Sequence, residues 1–252
     1  ILLLESTYGN RVHQPHPEEK LIDIIQEAHQ DNGTIIIPSF AVERAQLLMY
    51  LLWKLRKEKK IPKMPIFLDS PMGIEVLAIF QKYHEWHKLS PAIFVQMSKE
   101  ITLVNSIQET LELAADKSHK IVIAGSGMAT GGRVLTYLEH YLADTKATIL
   151  LAGYQAEGTR GKALLDGEKQ LKMHGKFWEV KAKIRHIDGL SAHADQNELL
   201  DWLNEIVPAP AYLFLVHGEM VSALALKEAI FHRFGWKATI PQLNEKASIR
   251  VK

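Results

Sequence analysis

The sequence predicts an α/β fold built on a parallel sheet. Along most of the 252 residues, short apolar runs rich in β-branched residues alternate with longer segments of helical period. The composition, 47% hydrophobic and 23% charged, is that of a globular protein with ample material for a core. Such alternation is typical of βα units, whose strands lie parallel in one sheet.

The predicted strands and helices follow one another in pairs. "GTIIIPS" precedes the helical "AVERAQLLMYLLWKLRKEKK", and "MPIFLDS" precedes "PMGIEVLAIFQKYHEW". "KIVIAGS" leads into "GMATGGRVLTYLEHYL", and "ATILLAGYQ" leads into "GTRGKALLDG". Between these pairs we expect "PAIFVQ" to form a further short strand, because it is a compact apolar run.

The pattern changes near residue 176. Apolar residues alternate at period two in "KFWEVKAKIRHID", which predicts antiparallel strands. Beyond it we expect a helix in "SAHADQNELLDWLNEI" that Asp195 caps, and a strand in "AYLFLVHGE". A helix in "ALALKEAIFHRFG" should end at Gly235, before a last extended piece.

Charge and composition exclude several classes of site. The net charge of +1 means that any nucleic-acid site must be a local patch. The absence of cysteine excludes disulfides, thiolate metal sites and cysteine nucleophiles, and it favours a cytoplasmic location. No apolar run approaches the roughly 20 residues of a membrane-spanning helix, so we expect no membrane partner.

Three predicted strand ends carry side chains suited to chemistry. Glu5 follows "ILLL", His193 lies in "GLSAHAD", and His217 follows the apolar run of "LFLVHGE". Functional groups of open α/β sheets gather beyond the carboxyl ends of strands. Taken singly, each residue is better explained as structural, since a histidine at a strand end usually makes an ordinary hydrogen bond.

Six motifs taken together are more specific. They occur in the order "ESTYGNR", "PSFAVERAQ", "GMATGGRVL", "GYQAEGTRGKAL", "SAHAD", "LVHGE". In this order they resemble the β-CASP branch of the metallo-β-lactamase superfamily, the zinc-dependent nucleases of RNA processing. The resemblance covers essentially the whole chain. Within the branch, the sequence is most similar to bacterial and archaeal relatives of the pre-mRNA 3′-end cleavage endonuclease. It implies an RNA substrate and hydrolysis of phosphodiester bonds at a dinuclear zinc centre.

The resemblance also implies a domain layout. Residues 1–8 would be the last strand of an N-terminal metallo-β-lactamase half, and residues 9–190 a β-CASP domain with helices on both faces of its parallel sheet. Residues 191–252 would be the C-terminal part of the αββα sandwich. The family's H-x-H-x-D-H signature does not occur in the sequence. We therefore expect a C-terminal portion that is inactive alone, holds no stable zinc, and has its N-terminal half or a second copy as partner.

Carried over to this chain, the resemblance gives each of the three residues a role. His217 would be a zinc ligand, His193 the general acid, and Glu5 the carboxylate that orients His193. Imidazole can supply a proton near neutral pH, and a carboxylate on its other nitrogen fixes the tautomer. Histidine at position 217 favours RNA, since DNA-directed members of the branch tend to carry valine there.

A second set of residues would bind the substrate. The glycine-rich turn in "IAGSGMATGGRVL" directs backbone N–H groups at one point, although its spacing fits neither a dinucleotide fingerprint nor a P-loop. The resemblance implies contacts to the RNA backbone, and for each residue alone a solvated surface position is an equal alternative. The predicted contacts are Ser126, Gly127, Arg133, Arg44, Arg160 and Lys162.

Other interpretations remain open. The chain could belong to a non-catalytic RNA-binding or scaffold subunit, or to a DNA-directed β-CASP nuclease. A nucleotide-cofactor enzyme is disfavoured because the strand after the glycine turn ends without a carboxylate for a ribose. The basic run "KLRKEKK" is explained by the dipole at a helix carboxyl end, and His84 and His87 by one face of a surface helix.

Overall fold

The computed structural model describes residues 1–249 as two compact units. One unit consists of Ile1–Gln14 with Ala192–Lys252, and the other of Pro15–Ser191. We call them the split unit and the central unit. Residues 250–252, which end the predicted last extended piece and the predicted third domain, lie outside the described residues.

The elements follow one another along the chain as the α/β prediction requires. They are β1 (Leu2–Glu5), α1 (Pro17–Gln30), β2 (Ile35–Pro38), α2 (Arg44–Lys57), β3 (Ile66–Asp69), α3 (Pro71–Lys82), α4 (Pro91–Lys99), β4 (Ile101–Leu103), α5 (Ile107–Ala115), β5 (Ile121–Ala124), α6 (Val134–Tyr141), β6 (Thr148–Ala152), α7 (Arg160–Leu165), β7 (Gln170–Met173), β8 (Lys176–Glu179), β9 (Lys183–Ile187), α8 (Gln196–Asn204), β10 (Leu213–Val216), α9 (Met220–Phe234) and β11 (Ala238–Thr239).

The central unit is a parallel sheet with helices on both faces, as predicted. Its six strands lie in the order β4-β3-β5-β2-β6-β9. Successive side chains of a strand enter opposite layers: Ile35 and Ile37 pack with α1 to α4, and Ile36 packs with α5 to α7. Because both faces are covered, β2, β5 and β6 are buried at every residue.

The prediction of a strand at "PAIFVQ" is wrong. These residues begin helix α4, because the Ser90 hydroxyl accepts a hydrogen bond from the Ile93 backbone N–H and Pro91 occupies the first helical turn. The strand of this βα repeat is instead β4, which is three residues long and follows helix α4. A short apolar run does not distinguish a helix from a strand, whereas the Ser-Pro start does.

The prediction of antiparallel strands near residue 176 is only half right. Strands β7 and β8 form an antiparallel hairpin, whereas β9 joins the main sheet parallel to β6. β9 is the edge strand of that sheet, and its Lys183 and Arg185 side chains pair with Glu27 of α1. Its alternating polarity therefore reflects an exposed edge, not antiparallel pairing.

The split unit contains the chain's first strand and its last elements. Strands β1, β10 and β11 form a parallel sheet with β10 in the centre, and α8 and α9 supply most of its core. Two predicted caps are confirmed. Asp195 accepts a hydrogen bond from the Glu198 backbone N–H at the start of α8, and Gly235 ends α9 in the left-handed conformation with φ 69°.

No helix among residues 1–249 has both the length and the apolar character needed to cross a membrane.

We predict that the chain self-associates through β1. This strand pairs with β10 on one side, and Ile1 and Leu3 expose 63% and 66% of their surface. An apolar edge strand is a template for pairing with a second chain. Leu3→Lys should therefore shift sedimentation velocity profiles toward the monomer without lowering the thermal midpoint.

The neighbouring residue provides the control. Leu4→Ala should cost roughly 2–5 kcal/mol of folding free energy, because Leu4 is 5% exposed within the core. If the Leu3→Lys variant self-associated at the same protein concentration as the parent chain, the prediction would be contradicted.

Candidate functional site

The parallel pairing of β1 with β10 sets the position of Glu5. Leu4 lies beside Leu215 and Glu5 beside Val216, so both strands reach the same edge of the sheet together. His217 is the next residue after this register ends. The pairing of the two strands thus brings together a carboxylate and an imidazole from residues 212 positions apart in the sequence.

His193 reaches the same place from the segment before α8. Its Nδ1 lies 3.2 Å from Glu5 Oε1, and its ring lies over that of His217 with centroids 5.2 Å apart. Potential ligand atoms of Glu5, His193 and His217 all lie within 4.8 Å of one another. The structure therefore brings together all three residues singled out at strand ends.

Thr7 connects the three residues and was missed by the sequence analysis. Its backbone N–H donates to Glu5 Oε2 at 2.9 Å, and its hydroxyl donates to the His217 carbonyl oxygen at 3.1 Å. The same hydroxyl lies 3.1 Å from His217 Nδ1 and 3.5 Å from His193 Nδ1. If the hydroxyl gives its one proton to the carbonyl oxygen, His217 Nδ1 is the donor in the other contact and His217 Nε2 keeps a lone pair.

The hydrogen bonds to Glu5 keep it ionised. Partial burial of the carboxylate raises its pKa, but the bonds from the Thr7 backbone and side chain and the proximity of His193 outweigh this effect. The net result is a pKa of Glu5 below its ordinary value. An ionised carboxylate can accept a hydrogen bond from His193 Nδ1–H and hold the ring in one orientation.

Two further residues hold the segment that carries His193. The His13 ring donates from Nε2 to the His193 carbonyl oxygen at 2.9 Å, and the His13 backbone N–H donates to Asp195 Oδ2 at 2.8 Å. Asp195 is 5% exposed; although burial raises its pKa, bonds from the Glu198 and His13 backbones hold the pKa below its ordinary value. Asp195 thus serves as a cap and a clamp, which supports the structural role expected for it.

A close backbone contact seats His217. Its φ of 60° is unusual for a residue with a side chain, and Gly218 follows it. A Cβ added to Gly218 would lie 2.4 Å from the Ser6 carbonyl oxygen. Only glycine lets the β10 turn approach the β1 turn so closely, so the "HG" pair is a packing requirement as well as a chemical motif.

The donor set fits part of a zinc site. Two imidazoles and a carboxylate are among the ligands that zinc prefers, and the mutual distances allow one ion to be shared. A centre with two metal ions needs more ligands than three. Within residues 1–249 no other group of three potential ligands is found.

Comparison with known sequences assigns the chain to a family. Residues 45–164 match the Beta-Casp domain, and residues 178–241 match the Zn-dependent metallo-hydrolase RNA specificity domain. The chain belongs to the β-CASP branch of the metallo-β-lactamase superfamily.

Several characterised proteins are similar to this β-CASP chain. Ribonuclease TTHA0252 from Thermus thermophilus is 32% identical over 97% of the chain and 57% of its own length. Transcription termination factor FttA from Pyrococcus horikoshii is 32% identical over 100% of the chain and 40% of its length. The RNase J-like protein of Methanocaldococcus jannaschii is 33% identical over 92% and 55%. The chain thus spans about half the length of these relatives.

In the central unit, two of the three arginines predicted to bind RNA make hydrogen bonds within the protein. Arg133 pairs with the fully buried Asp69 at 2.6 Å and also donates to the Val104 and Asn105 carbonyl oxygens. Arg44 is buried and donates to the Ala152 carbonyl oxygen. Their contact with RNA remains a prediction, and their structural contacts are new.

The sequence analysis did not single out Asp69, a buried aspartate to which several side chains hydrogen-bond. Besides Arg133, its carboxylate accepts hydrogen bonds from Thr110 and Tyr137 at 2.7 and 2.5 Å. Burial and the bond to Asp69 both raise the pKa of Tyr137. An aspartate that ends the apolar run "IFLD" has to find partners inside the fold, which the sequence could have indicated.

The other predicted RNA contacts lie around the glycine-rich turn and on α7. The Ser126 hydroxyl accepts from the backbone N–H groups of Thr130 and Gly131, and the Gly127 carbonyl accepts from Gln155.

Arg160 and Lys162 both begin α7 but differ in their partners. Arg160 donates to the Thr130 carbonyl at 2.9 Å, so it braces the turn, whereas Lys162 pairs with Asp166 and Glu157. The helix predicted to include His84 and His87 ends at Lys82, so that prediction is wrong, and His84–Trp86 form a separate short turn.

Thr7→Val should lower the free energy of unfolding by about 1–3 kcal/mol. The change removes the hydroxyl but keeps the shape of the side chain, so His217 Nδ1 loses its hydrogen-bond partner. Thr7→Ser, which keeps the hydroxyl, is the matched control and should retain most of the stability. Denaturant unfolding measures the cost, and long-range nitrogen–proton NMR should show the His217 Nδ1–H tautomer in the parent and Ser variants but not in the Val variant.

Asp69→Asn should destabilise the central unit by roughly 3–5 kcal/mol. The change leaves Arg133, whose side chain is 15% exposed, without its anion. Asp201→Asn is the control: its pair with Arg233 is largely exposed, so its loss should cost less than about 1 kcal/mol. Equal unfolding midpoints for the two variants would show that the buried pair is not a stabilising element.

Proposed function

We propose that the protein of which this chain is part is a zinc-dependent ribonuclease that hydrolyses phosphodiester bonds of RNA. The observation that carries the proposal is the convergence of Glu5, His193 and His217 through Thr7. Two relatives whose names describe ribonucleases, and a family domain described as an RNA specificity domain, support RNA as the substrate. Histidine at position 217, in place of the valine of DNA-directed members, points the same way.

His193 is the proposed general acid. Its Nδ1–H donates to Glu5, so its Nε2 is the nitrogen that would carry a proton to the leaving oxygen. Glu5 provides the counter-charge for the imidazolium form and fixes the direction of the ring. The His13 bond to the His193 carbonyl oxygen restrains the backbone from which the ring projects.

His217 is the proposed metal ligand of this chain. The contact of its Nδ1 with Thr7 holds the ring in place, as hydrogen bonds to the non-ligating nitrogen of metal-binding histidines do, and leaves Nε2 as the nitrogen that would bind the metal. Zinc, when bound, supplies Lewis-acid activation of the scissile phosphate. The remaining ligands would come from residues outside this sequence.

The experiment compares zinc content and RNA cleavage in the whole protein. His193→Ala should lower the rate of cleavage by about 10²–10⁴-fold, the usual contribution of a general acid, while zinc remains bound. His232→Ala, an exposed histidine of α9, is the matched control and should cleave at the parental rate. Cleavage by His193→Ala at the parental rate would exclude its assigned role.

Two further arms separate the alternatives. RNA bound but not cut by a zinc-loaded parent would favour a scaffold subunit, and faster cleavage of DNA would favour a DNA-directed nuclease. The 252-residue chain alone should cut no RNA and bind no stoichiometric zinc, since the proposal assigns only His217 of this chain as a metal ligand, with His193 and Glu5 paired to each other.

A further inference from the structure

The central unit contains a basic cavity that none of the predicted RNA contacts lines. It is open to solvent and has a volume of about 760 Å³. Its lining comes from the end of α2, the turn before β3, and the end of α4, and consists of Trp53, Arg56, Lys57, Lys63, Gln96, Lys99 and Glu100. We call it the Trp53 cavity.

The Trp53 cavity lies at the amino-terminal edge of the sheet. Lys63 and Glu100 come shortly before β3 and β4, and α2 runs back from the end of β2 to the start of β3. The glycine-rich turn and Arg133, in contrast, follow the carboxyl end of β5. The cavity is therefore at the opposite edge of this sheet from the residues predicted to contact RNA.

Three cations in the cavity have no carboxylate partner. Arg56 pairs with Glu100 at 3.1 Å, and these two charges cancel. Lys57, Lys63 and Lys99 are exposed, and none of them forms an ion pair within residues 1–249. Nearby lysines differ, since Lys54 pairs with Glu18 and Lys60 with Glu58.

The helix dipole explains only part of this arrangement. Lys57 and Lys99 lie in the last turns of α2 and α4, where positive charge is favoured. Lys63 lies outside every helix. The last turn of α2 is also closed by backbone bonds from Glu58 and Lys60, so the lysine side chains are not needed to cap it.

The floor of the cavity is aromatic and rigid. Trp53 is 6% exposed, and the Lys57 ammonium lies 4.9 Å from the centre of its ring. Arg56 is fixed by Glu100 and by the Met64 carbonyl oxygen. Trp53 and Arg56 are thus held in place by protein contacts, and Lys57 lies against the Trp53 ring.

We propose that the Trp53 cavity binds the phosphate backbone of single-stranded RNA, at a second contact beyond the reacting bond. Three ammonium groups without a carboxylate partner can each bind a phosphate, and the Gln96 amide can hydrogen-bond to a ribose hydroxyl. The RNA substrate proposed for the whole protein favours a phosphate backbone over an acidic peptide as the occupant. The inference rests on the proposed RNA substrate.

The test measures binding of a labelled single-stranded RNA to the 252-residue chain over a range of salt concentrations, without zinc. The pocket variant is Lys57→Glu/Lys63→Glu/Lys99→Glu. The control variant, Lys20→Glu/Lys146→Glu/Lys176→Glu, makes the same change in net charge at exposed lysines of the same unit. The pocket variant should bind at least about tenfold more weakly, and the slope of log affinity against log salt should fall by about 2, since each single-strand phosphate contact contributes roughly 0.7.

Each other outcome overturns the inference. Equal losses in the two variants would indicate overall charge, and no loss in the pocket variant would exclude the cavity. Tighter binding of a glutamate peptide than of RNA would assign the cavity to a protein partner.

A neutral variant, Lys57→Gln/Lys63→Gln/Lys99→Gln, is the control for folding. Weaker RNA binding by this variant, with an unchanged unfolding midpoint, shows that the loss of binding is not due to unfolding. Cleavage by the whole protein, tested at His193, can fail or succeed independently of these results.

Discussion

The parallel register of β1 on β10 is the constraint on which the candidate site depends. Hydrogen bonds between the two turns begin where the strand ladder ends: Ser6 donates to the Val216 carbonyl oxygen and Thr7 to that of His217. A slip of one residue would turn Glu5 to the other face of the sheet and expose Leu4, which is 5% accessible. Burial of an ordinary leucine thus enforces the alignment of Glu5 with His217.

Much of the fold could be predicted because the central strands are buried on both faces. Runs such as "TIII" and "IVIA" have no polar face, and a parallel sheet with covering helices follows from them. The errors fall on short segments at the margin of that sheet. The apolar run of α4 forms a helix because Ser90 and Pro91 start one there. The alternating sequence of β9 belongs to a parallel edge strand with one exposed side, and it was mistaken for an antiparallel strand.

The reactive residues of the site could be predicted from the sequence, but the residues that hold them in place could not. Glu5, His193 and His217 stand out because ionisable side chains follow apolar runs. Thr7 does not, since a threonine in a turn is common and the two histidines that it contacts lie 186 and 210 positions away. Similarly, no sequence pattern distinguishes an arginine that faces RNA from Arg133, which faces a buried aspartate.

The hydrogen bonds at the site give its two imidazoles different capacities. Both rings direct Nδ1 to a protein acceptor, but His193 meets a carboxylate that stays ionised, whereas His217 meets a neutral hydroxyl. A carboxylate can balance the positive charge of an imidazolium, and a hydroxyl cannot. In the proposed reaction the ring beside Glu5 is therefore suited to carrying a proton, and the ring beside Thr7 to donating a lone pair to a metal.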